Sequence, residues 1–199
     1  MNDPSAPSRE TLFQTRWLAV HRLGHWDFVE RPNADCAVAI LAVTPENEVV
    51  LVEQFRIPMQ KPVVEIPAGL VGDEDEHRGE ALAQTAAREL LEETGFRAGR
   101  IEPLLVSPTS AGMTSELTHF FLATDLHREH EGGGGGAENI ITHLVPLSRI
   151  RQWLAEQETS GKLVDCKIHA ALWAAAPVIN SQARPASAPE PAPPTDSPR

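Results

Sequence analysis

Residues 80–96 read EALAQTAARELLEETGF. At 3.6 residues per turn, Leu82, Ala86 and Leu90 fall on one face and Gly95 stands where a helix would stop, so the spacing predicts a helix from Glu80 to Glu93. On the other side Glu89 and Glu93 are i and i+4, Glu92 lies beside them, and Arg88 is four residues before Glu92. Like charges at this spacing destabilise a helix, so the face calls for a counter-charge. A hard divalent cation such as Mg²⁺, with Mn²⁺ as an alternative, takes oxygen ligands of this kind. Arg88 can pair with one acid and fix its rotamer. A lone Glu-Glu pair would read as a solvated face; the order of residues here is more specific.

Working outward, Cys36–Val43 is an apolar run suited to a buried strand, and Val49 to Gln54 is a second strand across the Pro45-Glu46-Asn47 turn. Val63 to Ile66, Leu117 to Ala123 and Ile140 to Val145 read as further strands, and Ile150 to Gln157 and Cys166 to Ala175 as helices. The fold class expected is therefore α/β with a mixed sheet. The ends differ in composition. Residues 1–10 are expected to be flexible, residues 11–176 to form the domain, and residues 177–199, with seven prolines, to be a disordered Pro/Ala-rich tail. Gly132 to Gly136 is a run of five glycines leading into Glu138, which reads either as an inert linker or as a mobile loop that brings an acid to a site.

The chain has 199 residues and a net charge of −11, and residues 73–93 alone hold eight acids against two arginines. That balance argues against a nucleic-acid polymer as partner. It leaves room for a small phosphorylated ligand once a cation screens the acids. Two cysteines cannot build a disulfide framework. The longest apolar run, Cys36–Val43, is far below the roughly 20 residues of a membrane helix. No secretory signal pattern opens the chain, so a cytoplasmic protein is the expectation.

The order Glu80, seven residues, Arg88-Glu89-Leu90-x-Glu92-Glu93-x-Gly95-Phe96 matches most of the Nudix box, Gly-x5-Glu-x7-Arg-Glu-U-x-Glu-Glu-x-Gly-U with U apolar. The chain thus resembles a Nudix hydrolase, which implies an α/β/α sandwich whose box forms a loop-helix-loop. One position departs: the box's first glycine would fall at Glu74, and Gly69 fits it only with five extra residues before Glu80. A calcium loop at Asp73-x-Asp75 fails as an alternative, because its glycine would be Arg78 and its closing Glu would be Gln84.

The flanks, Glu53-Gln54-Phe55-Arg56, Glu65-Ile66-Pro67-Ala68-Gly69 and the loop from Ser107 to Glu116, are similar to the ADP-ribose pyrophosphatase branch. The resemblance implies that Glu89, Glu93, Glu138 and the Ala68 carbonyl hold metal, with Glu92 a further ligand or a catalytic contact to metal-bound water. It implies that Arg88 orients the acids, and that Glu138, with Glu116 and Glu131 behind it, is the candidate base. Some relatives carry a basic Glu two residues before Glu138, where this chain has Gly136. Arg31, Arg56 and Glu65 are substrate candidates, each with a plain salt bridge as the competing reading. Phe28 and Trp26 are candidates to stack a purine, with a core role as the alternative. His21, His25 and His119 have no metal spacing. The substrate implied is a nucleoside diphosphate derivative, ADP-ribose first and GDP-mannose second. A nucleotide-sensing domain without turnover is the reading from another class. A homodimer through the strand region Thr11 to Glu30 is implied by the branch alone.

Overall fold

The first three strands, β1 (Arg9–Gln14), β2 (Ala19–Leu23) and β3 (Trp26–Glu30), make an antiparallel sheet of their own. The structure, a computed structural model, describes residues 8–73, 75–134 and 139–182. Strand β4 (Cys36–Val43) keeps the bounds its apolar run predicts, and its last six residues are buried. A strand covered on both faces reads as continuous Val, Ile, Leu and Ala rather than as an alternation. The turn after it is closed by the Asn47 N–H donating to the Thr44 carbonyl at 2.9 Å, with Asn47 at φ 60°. Strand β5 (Glu48–Arg56) then returns antiparallel to β4.

Strand β6 (Lys61–Glu65) pairs with β5, and β7 (Ala68–Val71) pairs antiparallel with β4, setting Ala68 opposite Ala39. Helix α1 (Leu82–Thr94) follows a short helical turn at Asp75–His77. Strands β8 (Phe96–Pro108), β9 (Leu117–Arg128) and β10 (Ile141–Pro146) come next, then α2 (Ile150–Thr159), β11 (Leu163–Val164) and α3 (Cys166–Gln182). The main sheet has the order β11-β6-β5-β4-β9-β8, with β10 on β5 and β7 on β4. Its β4–β9 and β11–β6 pairs are parallel and the others antiparallel, so the sheet is mixed.

One face of this sheet packs Val38, Ile40 and Ala42 against Ala86 and Leu90 of α1. The other packs Ala39, Leu41 and Leu51 against Leu154 of α2 and Ile168, Ala171 and Ala175 of α3. Alternate residues of β4 thus serve opposite layers, which gives the expected α/β/α sandwich.

Several boundaries differ from expectation: β9 runs on from Ala123 to Arg128, and β5, β6, β10 and α2 shift by one to two residues at one or both ends. Helix α1 begins at Leu82, because Gln84 Oε1 accepts the Ala81 N–H at 3.2 Å and ties off the chain there. Helix α3 does not stop at Ala175 but runs through Pro177 to Gln182. Pro177 has no N–H to give the Trp173 carbonyl, and both residues lie on the solvent side. Strand β1 begins at Arg9, inside the stretch expected to be flexible. Residues 1–7 and 183–199, most of the expected tail, lie outside the described residues. Among the described residues, both cysteines are free thiols, and no helix is long and apolar enough to cross a membrane.

Candidate active site

The box helix ends beside β7. Glu93 is buried, and its Oε2 accepts the Ala68 N–H at 3.2 Å. Gly69 passes so close over Glu89 that a Cβ there would overlap the Glu89 carboxylate. The glycine is needed for this approach rather than for an unusual φ. Two acids one helical turn apart are thereby set against the start of a neighbouring strand.

Arg88 gathers the remaining charges. Its Nη1 lies 3.0 Å from Glu89 Oε1 and 3.2 Å from Glu92 Oε2, and its Nε is 3.5 Å from Glu80 Oε2. Thr85 Oγ1 donates to Glu80 Oε2 at 3.1 Å. Burial works against the Arg88 charge, but Glu89, Glu92 and Glu80 together raise its pKa. Burial pushes the Glu89 carboxyl up to about 7; Glu92 and Asp73 push the same way, and Arg88 pulls back.

The donors are carboxylate and backbone oxygens, the set a hard cation takes. Among the described residues, no group of three or more acidic, His or Cys side chains is arranged so as to hold a metal ion. Glu93 is turned to Ala68, and Glu89 and Glu92 to Arg88. The donors match a hard divalent cation in kind, and Glu89, Glu93, Glu92 and the Ala68 carbonyl are the candidates that would hold one. Glu138, assigned both as ligand and as base, lies outside the described residues, as do Gly135 and Gly136.

The other candidates form ion pairs. Arg31 Nε meets Glu116 Oε2 at 2.6 Å, although the two are far apart in sequence. Glu116 directly precedes β9, whose Thr118 pairs with Ala37, and this puts it near the start of β4. Cys36 pairs with Val71 and Ala39 with Ala68, so these two points on β4 are about 10 Å apart at 3.3 Å per residue. Arg56 Nε meets the buried Glu65 at 2.7 Å, with Lys167 Nζ 3.9 Å from the other Glu65 oxygen. Phe28 is half-buried in the N-terminal sheet, 5.6 Å from the His21 ring and under the Arg9 guanidinium. Trp26 is exposed and its indole N–H donates to the Gly112 carbonyl at 3.1 Å, which ties β3 to the loop bearing Glu116. Glu131 is exposed and pairs with Arg128 at 3.0 Å.

Sequence reasoning missed Lys167 beside Glu65 and the contact of Gly69 with Glu89. The first is invisible because α3 is remote in sequence. The second was signalled by the box glycine.

A Nudix domain model matches residues 34–164, and the chain belongs to the Nudix family. The fold and hydrolase class expected from the box therefore hold. A methanol dehydrogenase activator of Bacillus methanolicus is 39% identical over 132 residues, 61% of this chain and 68% of that protein. An ADP-ribose pyrophosphatase of Bacillus subtilis is 42% identical over 100 residues, and the match spans half of each protein. A GDP-mannose pyrophosphatase of Klebsiella pneumoniae is 34% identical over 137 residues, 64% of this chain and 66% of that protein. A crystal structure of an ADP compounds hydrolase superposes with a TM-score of 0.69 over 92% of this chain and 98% of that one, at 19% identity, a likeness of fold.

Proposed function

We propose that this protein hydrolyses the pyrophosphate bond of ADP-ribose to AMP and ribose 5-phosphate with Mg²⁺. The observation that carries the reading is the meeting of Glu89 and Glu93 with Ala68 and Gly69, which sets hard oxygen donors at the end of one helix. Similarity to the Bacillus subtilis ADP-ribose pyrophosphatase supports the choice of substrate.

In this reading Glu89, Glu93, Glu92 and the Ala68 carbonyl hold the cation, and Arg88 keeps the acids in place. A bound Mg²⁺ offsets the charge of the diphosphate and lowers the pKa of an attacking water. A carboxylate, Glu138 first and Glu116 second, accepts the proton of that water. Water oxygen bonds to one phosphorus while the bridging P–O bond breaks, and the second phosphate leaves. Arg56 and Arg31 bind phosphate by exchanging their present carboxylate partners for it. Phe28 stacks on the base. The exposed Leu12, Phe13, Leu23 and Trp26 of the N-terminal sheet support a homodimer formed through it.

A panel of ADP-ribose, GDP-mannose and other nucleoside diphosphate sugars, assayed with Mg²⁺, tests the reading. Turnover of ADP-ribose well above the rest supports it; preference for GDP-mannose moves the assignment to that substrate. Similarity to the methanol dehydrogenase activator favours one second reading, a nucleotide-responsive partner of another enzyme. Nucleotide binding without turnover of any diphosphate would select it.

A further inference from the structure

The C-terminal turn of α1 is completed by a distant segment. The Gly95 N–H takes the Leu91 carbonyl at 2.8 Å, as a left-handed cap does. The carbonyls of Glu92 and Glu93 belong to the last turn and are met from outside the helix. The Gly133 N–H donates to the Glu93 carbonyl at 2.9 Å, and the Gly134 N–H to the Glu92 carbonyl at 3.1 Å. In return, the Gly95 carbonyl accepts the Glu129 N–H at 2.8 Å.

The approach is backbone to backbone. Gly132 has φ 75°, and a Cβ on it would lie 2.6 Å from the Glu93 carbonyl oxygen and 2.5 Å from the Thr94 carbonyl carbon. A Cβ on Gly95 would overlap the His130 carbonyl. Glu93 is thus held at both ends, its carbonyl by Gly133 and its carboxylate by Ala68.

We propose that Gly132, Gly133 and Gly134 are positioning residues: they clasp the last turn of α1 and so set Glu92 and Glu93 for the cation. The inference rests on the cation site proposed above. It gives the start of the glycine run a task that an inert linker would not have.

Mn²⁺ binding to the full chain, followed by electron paramagnetic resonance of the free ion, tests it. Gly132→Ala is expected to weaken Mn²⁺ binding by about tenfold, with the far-UV spectrum unchanged. Gly161→Ala is the control. It places a Cβ at φ 92° in the turn before β11 with nothing within 4 Å, and should bind Mn²⁺ as the wild type does. Affinity of Gly132→Ala within about twofold of wild type, whatever its melting temperature, overturns the inference. Wild type that binds no Mn²⁺ overturns the cation site and the inference together. Should Gly132→Ala not fold, amide exchange in the wild type decides. Saturating Mg²⁺, checked by calorimetry, should slow exchange at Gly133 and Gly134 by about fivefold or more; unchanged exchange with Mg²⁺ bound overturns the clasp alone.

Discussion

The Glu93 carboxylate and the Ala68 N–H are joined at 3.2 Å, and this bond docks the box helix onto the start of β7. A neutral amide can still accept that N–H but brings no charge to a cation. Glu93→Gln is therefore expected to keep the fold, with a melting temperature within a few degrees of wild type. Its Mg²⁺-dependent turnover should fall about 100-fold or more. Steady-state assay together with circular dichroism checks both halves, and full activity would remove Glu93 from the proposed cation site.

Gly69 gives a steric test of the same place. A methyl group there occupies the volume of the Glu89 carboxylate, which must rotate away. Gly69→Ala should lower turnover about tenfold or more and also lower the melting temperature, because the overlap reaches Glu89 Cγ as well as its carboxylate. A Mg²⁺ titration of the rate should show a higher half-saturating concentration. An unchanged titration would mean that Glu89 acts elsewhere.

How much of this was legible depends on the range of the interactions. The acidic face of α1 and its end at Gly95 follow from residues within a few turns of one another. Strand β4 keeps its predicted bounds because Cys36–Val43 is apolar throughout. Strand β8 went unread: Gly99 and Pro103 interrupt its pattern, and a bulge between Pro103 and Leu105 shifts the faces. Strand β7 is four residues long and reads as a loop until β4 pairs with it. Pro177 looked like a stop, yet it sits where the helix faces water. Arg31 with Glu116 and Arg56 with Glu65 are legible as charges; which acid each arginine meets is set by the sheet.

The Arg56–Glu65 pair separates binding from stability. Glu65 is 4% exposed and Arg56 lies at the surface, so the arginine is the mobile partner. In Arg56→Ala, Lys167 at 3.9 Å remains as a partial counter-charge for Glu65. Stability should fall by about 1–2 kcal/mol, since one partner of a buried acid is lost and solvent screens part of the cost. If Arg56 also takes phosphate, KM for ADP-ribose rises about tenfold while kcat stays within about threefold. Urea denaturation and steady-state kinetics read the two effects apart, and an unchanged KM leaves the pair a purely structural one.

Glu53 makes a cluster with Lys162 and His143 on the opposite face of the sheet, and acid is expected to weaken it. Lys162 Nζ lies 2.7 Å and His143 Nε2 2.8 Å from its Oε2, linking β5, β10 and the turn before β11. Burial pushes the Glu53 carboxyl up, but the hydrogen bonds from Lys162 and His143 outweigh it and hold the pKa below the ordinary carboxylate range. A depressed folded pKa means that the unfolded chain binds the proton more readily. The stabilisation is therefore complete above the unfolded value and is lost as pH falls through the folded one. The melting temperature should drop as pH falls from about 5 to about 3, with other acids adding to the slope. Glu53→Gln should melt lower at pH 7 and show a shallower fall over that window. A variant that tracks the wild-type slope would place the acid sensitivity elsewhere in the fold.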